Sequence, residues 1–227
     1  MFKLKFIFIF LLSEIYFSLQ TGNALADSSV IKVIEMQGKV SVYKQKRSYT
    51  LTKDTILSIG DQIRTGSKSR VVLKLPDSST VRLGEYAIFI IDSQKTGKQA
   101  FRSSFRVKSG AFRFISIGSK NRNIKIKVGK SMALGIRGTD IWGAAARNNK
   151  DIICLLDGEI NVQINEQKFI LNKAGEYLSL PKGQKVTTIQ KADTHLLEQW
   201  IRDTATIAEV KASHPTAKSN ILKDTNR

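Results

Sequence analysis

The sequence of 227 residues is poor in the residue types that usually mark a metal centre or a disulfide framework. It has one cysteine, Cys154, so no disulfide within the chain can hold the fold together. The neighbours of Cys154 are apolar, which favours a small buried side chain over a reactive or intermolecular thiol. The two histidines, His195 and His214, have no cysteine or carboxylate at metal-ligand spacing. The sequence therefore predicts no metal site and no cofactor.

Catalytic motifs are missing too. No nucleophile elbow, phosphate-binding loop or zinc-protease signature occurs. Scattered carboxylates leave open a glycosidase-like pair, so a carbohydrate-active enzyme remains an alternative. Because the residues of an active site are almost absent, we predict a non-catalytic protein.

No hydrophobic run is long enough to span a bilayer, which needs about 20 apolar residues. The N terminus has instead the parts of a secretory signal, with Lys3 and Lys5, the apolar residues 6–12, and small residues at Ala24 and Ala26. We predict a signal peptide over residues 1–26, cleaved after Ala26, and export from the cytoplasm. An uncleaved anchor over residues 6–19 is the alternative, although this run is short and contains a glutamate.

Proline is scarce in the middle of the chain, where only Pro76 and Pro181 occur between residues 30 and 190. Short runs there alternate apolar and polar residues, for example residues 39–43, 124–128 and 160–164. A period of two is typical of half-buried strands, and hydrogen-bonded strands exclude proline. We therefore predict an all-β domain over residues 27–190, with stacked short antiparallel strands in a β-roll, a sandwich or a short β-solenoid.

A weak internal repeat supports stacked units. Residues 37–42 (QGKVSV) are echoed by residues 157–162 (DGEINV), and residues 109–114 resemble a third, degenerate copy. In each copy we expect a glycine to open a strand after a tight turn that needs a positive φ.

After residue 190 the periodicity becomes helical. Leu196, Leu197 and Trp200 recur at helical spacing, with Asp193 or Thr194 as the N-cap. We predict one C-terminal amphipathic helix over residues 191–212 that packs on the β domain, with a partner-binding helix as the alternative. The polar residues 213–227 are predicted to be a disordered tail.

Acidic residues are absent from one long stretch. The formal net charge is +18, and residues 93–139 contain twelve Lys or Arg residues but no Asp or Glu. We call residues 93–139 the acid-free window. Alternation along strands is expected to place its cations together on the solvent side, where their potentials add and attract polyanions. The candidate anion-binding residues are Arg102, Arg106, Lys108, Arg113, Lys125, Lys127 and Arg137.

Each of these signals has an alternative. The cations could form a solvated face that aids solubility, but excluding every acid over 47 residues exceeds that need. Arg137, in the motif GIRGTD of residues 135–140, could bind a carboxylate. We favour the alternative, in which Arg137 bonds loop carbonyls or pairs with Asp140. Trp142 is expected in the core. Because export is predicted, we expect an anionic envelope polymer, lipid headgroups or an acidic envelope protein as partner, and no nucleic acid; the sequence does not predict an oligomeric state.

An ordered set of motifs resembles the FecR domain of bacterial envelope and signalling proteins. The motifs are residues 38–42 (GKVSV), 57–66 (LSIGDQIRTG), 69–79 (SRVVLKLPDSS), 81–84 (VRLG), 136–142 (IRGTDIW) and 156–162 (LDGEINV). They extend over about residues 30–180. The resemblance implies an all-β, periplasm-facing domain without known catalytic residues.

The resemblance also suggests two roles. In the best-known members the domain follows a transmembrane helix and a cytoplasmic sigma-factor regulator, and passes on the signal of an outer-membrane receptor. Neither part is recognised in this sequence. The favoured hypothesis is a periplasmic, FecR-like binding or scaffold protein that docks through a cationic sheet face. The alternative is an accessory component of an envelope signalling system that acts through a separate membrane protein.

Overall fold

The computed structural model describes residues 30–96, 101–116, 122–136, 138–185 and 188–213. The predicted signal peptide and almost all of the predicted tail lie outside these ranges. Within them the chain is dominated by strands, so the predicted all-β class is confirmed. The strands are β1 (Lys32–Gln37), β2 (Val40–Lys44), β3 (Arg47–Thr50), β4 (Gln62–Thr65), β5 (Arg70–Lys74), β6 (Thr80–Leu83), β7 (Ile88–Thr96), β8 (Phe101–Ile115), β9 (Arg122–Val128), β10 (Met132–Ile136), β11 (Asp140–Arg147), β12 (Lys150–Asp157), β13 (Ile160–Ile164), β14 (Gln167–Leu171), β15 (Glu176–Pro181) and β16 (Gln190–Lys191).

The strands form two sheets that share one long strand, β8. The first sheet has the order β3-β2-β4-β7-β8-β9-β10-β13-β14. The second has the order β1-β5-β6-β8-β11-β12-β15-β16. The inward side chains of both sheets fill one core, in which the rings of Phe105 and Phe114 are 6.4 Å apart. Strand β8 joins the two sheets into one continuous 16-stranded network around this core, and we refer to this arrangement as the sandwich.

Strand β8 passes from the first sheet to the second at Gly110. Its residues 101–109 pair with β7 and β9, whereas residues 110–115 pair with β6 and β11. Gly110 has a φ of +82°, and a Cβ added there would lie 2.4 Å from the Cα of Ala87. Only glycine fits this corner. The degenerate third copy of the repeat therefore lies inside a strand rather than at its start.

The other two copies of the repeat behave as predicted. Gly38 and Gly158 both have a positive φ, and they precede β2 and β13. Each of these strands continues into a hairpin with a two-residue turn, β2–β3 and β13–β14. The two hairpins form opposite edges of the first sheet.

The C-terminal segment contains two helices, α1 (Thr194–Asp203) and α2 (Ile207–Ser213), rather than the single helix predicted. Asp193 is the N-cap of α1, as expected, and its carboxylate accepts a hydrogen bond of 2.8 Å from Leu196 N. The helical conformation is interrupted between α1 and α2. The second sheet supplies hydrogen-bond partners for the backbone groups of this interruption. Arg70 donates to the carbonyl of Ala205, and Glu35 accepts from Ile207 N.

Helix α1 covers the outer face of the second sheet. The indole of Trp200 stacks on that of Trp142, with centroids 4.7 Å apart and planes at 7°. Cys154 and Tyr177 belong to the same apolar cluster. Trp142 and Cys154 are fully buried, which confirms both as core residues. No helix of the described residues is long and apolar enough to cross a membrane.

The corner in β8 generates the first prediction. Gly110→Ala places a methyl group against the Ala87 backbone in a left-handed conformation, so it should lower the free energy of unfolding by about 3 kcal/mol. Gly135→Ala is the matched control, since no atom lies within 4 Å of an added Cβ there. Urea unfolding measures the stability of both variants. Equal stability would contradict the requirement for glycine at the corner of β8.

The packing of α1 on the second sheet generates the second prediction. Burial raises the pKa of the Cys154 thiol to about 12, so the intact protein should react very slowly with a thiol reagent at pH 8. Trp200→Ala removes the cover of the cluster and should speed labelling by about tenfold or more. Ile170→Ala, at an exposed position, should leave the rate unchanged. Rapid labelling of the intact protein would refute this packing.

Candidate anion-binding site

The outer face of the first sheet carries a group of exposed cations. Strands β8 and β9 alternate apolar residues that face the core with polar residues that face solvent, so Arg102, Lys125 and Lys127 are exposed. Lys95 of β7 is also exposed and lies beside Arg102 in register. We call Lys95, Arg102, Lys125 and Lys127 the basic face. None of the four forms an ion pair with another described residue.

Two predicted candidates are neutralised by acids at the borders of the acid-free window. Arg106 forms a bidentate pair with Asp92, the residue just before the window. Arg113 forms a bidentate pair with Asp140, the residue just after it, at 2.9 and 2.6 Å. Bidentate pairs are strong and directional, so each of these arginines is fixed on its own carboxylate.

Arg113 also lies on a different surface from the rest. Because β8 crosses at Gly110, Arg113 is on the second sheet, where it pairs in register with Arg82 of β6. Arg82 in turn binds Glu209 of α2 at 2.8 Å. The hydrogen bonds to Asp140 raise the pKa of Arg113, which is only 16% exposed. This placement differs from the expectation that all window cations share one face.

The remaining two candidates have different outcomes. Lys108 is exposed at a register shift between β7 and β8, near the end of the first sheet. Arg137 lies outside the described residues, so its predicted role stays a prediction. The acid proposed as one of its partners, Asp140, is the partner of Arg113.

A cavity of about 750 Å³ opens at one end of the sandwich, and we call it the end cleft. It lies among the turns after β9, β11, β13 and β15. Four cations line it, Arg106, Lys108, Lys130 and Lys182, together with one carboxylate, Asp151. Arg106 and Lys108 therefore belong to its wall, next to the basic face.

The turns around the end cleft are joined in pairs. Lys182 N donates to Asn149 O at 2.8 Å, and Asn165 N donates to Ser131 O at 3.3 Å. Asp151 accepts a hydrogen bond of 2.8 Å from Ala146 N. The wall is thus held by backbone contacts rather than by side chains alone.

The sequence alone does not mark Lys95, Lys130, Lys182, Asn149 or Asn165 as candidate binding residues. Lys130 and Lys182 each adjoin a glycine, which signals a turn, but only the fold shows that the turns converge. The described residues contain no cluster of His, Cys, Asp or Glu that could hold a metal ion.

The sequence model of the FecR protein family matches residues 61–166. Residues 61–166 of this chain are thus similar to the FecR family. The matched range runs from the start of β4 to the turn after β13, and it includes the whole basic face. The resemblance seen in the sequence is confirmed over this range, which is shorter than the residues 30–180 expected.

Two crystal structures of a presumed anti-sigma factor from Parabacteroides distasonis share this fold. The first has a TM-score of 0.53 and 13% identity, covering 62% of this chain and 63% of that chain, less than two thirds of its length. The second has a TM-score of 0.53 and 12% identity, covering 67% of this chain and 72% of that chain. At this identity the likeness concerns the fold alone. No curated protein matches the chain significantly.

The placement of the arginines generates a third prediction. Arg113→Gln breaks a largely buried pair and leaves Asp140 without its charged partner, so the free energy of unfolding should fall by about 1–3 kcal/mol. Arg102→Gln removes the same charge from the basic face and should change it by less than about 0.5 kcal/mol. Urea unfolding measures both. A larger loss of unfolding free energy for Arg102→Gln than for Arg113→Gln would contradict the assignment of Arg113 to a structural ion pair and of Arg102 to the exposed basic face.

Proposed function

We propose that this FecR-domain protein is a non-catalytic periplasmic protein that docks on an anionic component of the cell envelope through its basic face. Export to the periplasm rests on the predicted signal peptide, which lies outside the described residues. The family match supports a regulatory or binding role rather than catalysis.

The observation that carries the proposal is the division of charge between the two outer faces. On the second sheet Arg82, Arg113 and Arg147 are paired with acids, and helix α1 packs on the surface. On the first sheet, four exposed cations have no acidic partner among the described residues. Unpaired like charges on one surface produce a positive potential that attracts polyanions and weakens as salt rises.

The chemistry around these cations favours a hydrophilic partner. The outward residues beside Lys125 and Lys127 are small or polar, including Ser104, Ala133 and Gly135. Protein interfaces centre on aromatic and other large apolar side chains and are depleted in lysine. Cations spaced by about 7 Å along a strand and about 5 Å between strands instead suit repeated charges. We therefore favour an anionic glycan polymer or lipid headgroups over an acidic protein.

Envelope signal transduction is the second candidate. It is favoured by the FecR domain and by the shared fold with a presumed anti-sigma factor. The two candidates are compatible, since docking on the envelope would hold a regulatory domain near a membrane-bound partner.

Charge reversal on the basic face tests the docking. Lys125→Glu with Lys127→Glu should weaken retention on isolated envelopes by about 30-fold or more, because each cation at an anionic surface contributes about 1 kcal/mol. Lys53→Glu with Lys74→Glu is the matched control. It changes the net charge equally but at exposed positions outside the first sheet's outer face. Co-sedimentation with envelopes at low and physiological salt measures retention.

Three results separate the hypotheses. Equal weakening by both double variants would reduce the effect to bulk charge and contradict a docking face. Retention that resists high salt would contradict electrostatic docking. Retention that disappears after protease treatment of the envelopes would identify an acidic protein as the partner in place of a polymer or lipid.

A further inference from the structure

We infer that the end cleft is a binding site for a phosphorylated sugar. The inference rests on the proposed function, because it names the group of an anionic envelope partner that this end of the sandwich would hold. The end cleft is distinct from the basic face: Lys95, Arg102, Lys125 and Lys127 do not line it.

Charge selects the phosphate. The wall contains Arg106, Lys108, Lys130 and Lys182 against Asp151. Even when Arg106 is counted as neutralised by Asp92, the balance stays positive by two charges. A phosphomonoester carries about −1.5 to −2 at neutral pH, which matches this excess, whereas a carboxylate would leave it half compensated.

Size and polar groups select the sugar. A cavity of about 750 Å³ is in the range of sites that enclose small organic ligands, and is much larger than one phosphate needs. The amides of Asn149, Asn165 and Gln184 and the hydroxyl of Ser131 also line it. An amide both donates and accepts hydrogen bonds, so these groups suit the hydroxyls of a sugar ring.

The wall is held before any ligand arrives. Backbone hydrogen bonds join the turn of Lys182 to that of Asn149, and the turn of Asn165 to that of Ser131. Asp151 is packed so closely on Gly129 that a Cβ there would lie 1.8 Å from its Oδ2. Fixed turns reduce the ordering cost of binding, which favours a specific site over a loose ion atmosphere.

Calorimetry with glucose 6-phosphate tests the inference on the full-length protein. We expect binding that is about tenfold or more tighter than binding of inorganic phosphate, glucuronate or glucose. If phosphate binds equally well, the sugar part of the inference is overturned. If glucuronate binds equally well, the phosphate part is overturned, and no binding of glucose 6-phosphate at low salt overturns both.

Paired variants locate the site. Lys130→Gln with Lys182→Gln should weaken glucose 6-phosphate binding by about tenfold or more. Lys53→Gln with Lys74→Gln, which removes the same charge from exposed positions that do not line the end cleft, should change it by less than about twofold. Equal loss in both would show attraction by net charge only and would overturn the site.

Two readouts, retention on envelopes and binding of sugar phosphate, separate this inference from the proposed function. If envelopes still retain the protein while it binds no sugar phosphate, the end cleft inference fails and docking stands. If the intact protein binds neither, both fail. Vesicles that contain a phosphorylated glycolipid distinguish the sources: competition by these vesicles indicates a lipid headgroup, and its absence indicates a free sugar phosphate.

Discussion

The passage of β8 from one sheet to the other at Gly110 is the constraint on which the rest of the structure depends. The positive φ and the contact with Ala87 allow one strand to pair with β7 and β9 before the corner and with β6 and β11 after it. Both sheets are thereby joined around one core. The corner also divides the cations of β8, because Arg102 and Arg106 before it face outward on the first sheet and Arg113 after it faces outward on the second.

This division gives the two outer faces different environments. On the second sheet the network of Arg82, Arg113, Asp140 and Glu209 lies between strands and helix α2, so its charges stabilise packing. On the first sheet Arg106 has an acidic partner, whereas Lys95, Arg102, Lys125 and Lys127 stay exposed with none among the described residues. Opposite charges within bonding distance mainly stabilise the fold, whereas unpaired charges of one sign act at longer range. The unpaired cations of the basic face are the charges proposed to dock on the envelope.

The all-β class, the glycines that open β2 and β13, the N-cap Asp193 and the buried Trp142 were predictable because each depends on local pattern or on the character of a few neighbours. The partners of Arg106 and Arg113 were not, since Asp92 and Asp140 come close only through strand pairing. Alternation fixes which side of a strand a residue faces, but not which sheet the strand enters. The end cleft was missed for the same reason: its cations come from separate turns that meet only in the folded chain.

Nuclear magnetic resonance is the most direct test of the claim that the basic face of the first sheet binds an anionic envelope component. The isotopically labelled protein would be titrated with a soluble fragment of an anionic envelope glycan, and the backbone amide shifts assigned. The account predicts the largest shift changes at Lys95, Arg102, Lys125 and Lys127, reversed by added salt, with the amides of α1 unchanged. Changes centred on α1 or on the residues between β3 and β4, with the basic face silent, would contradict it.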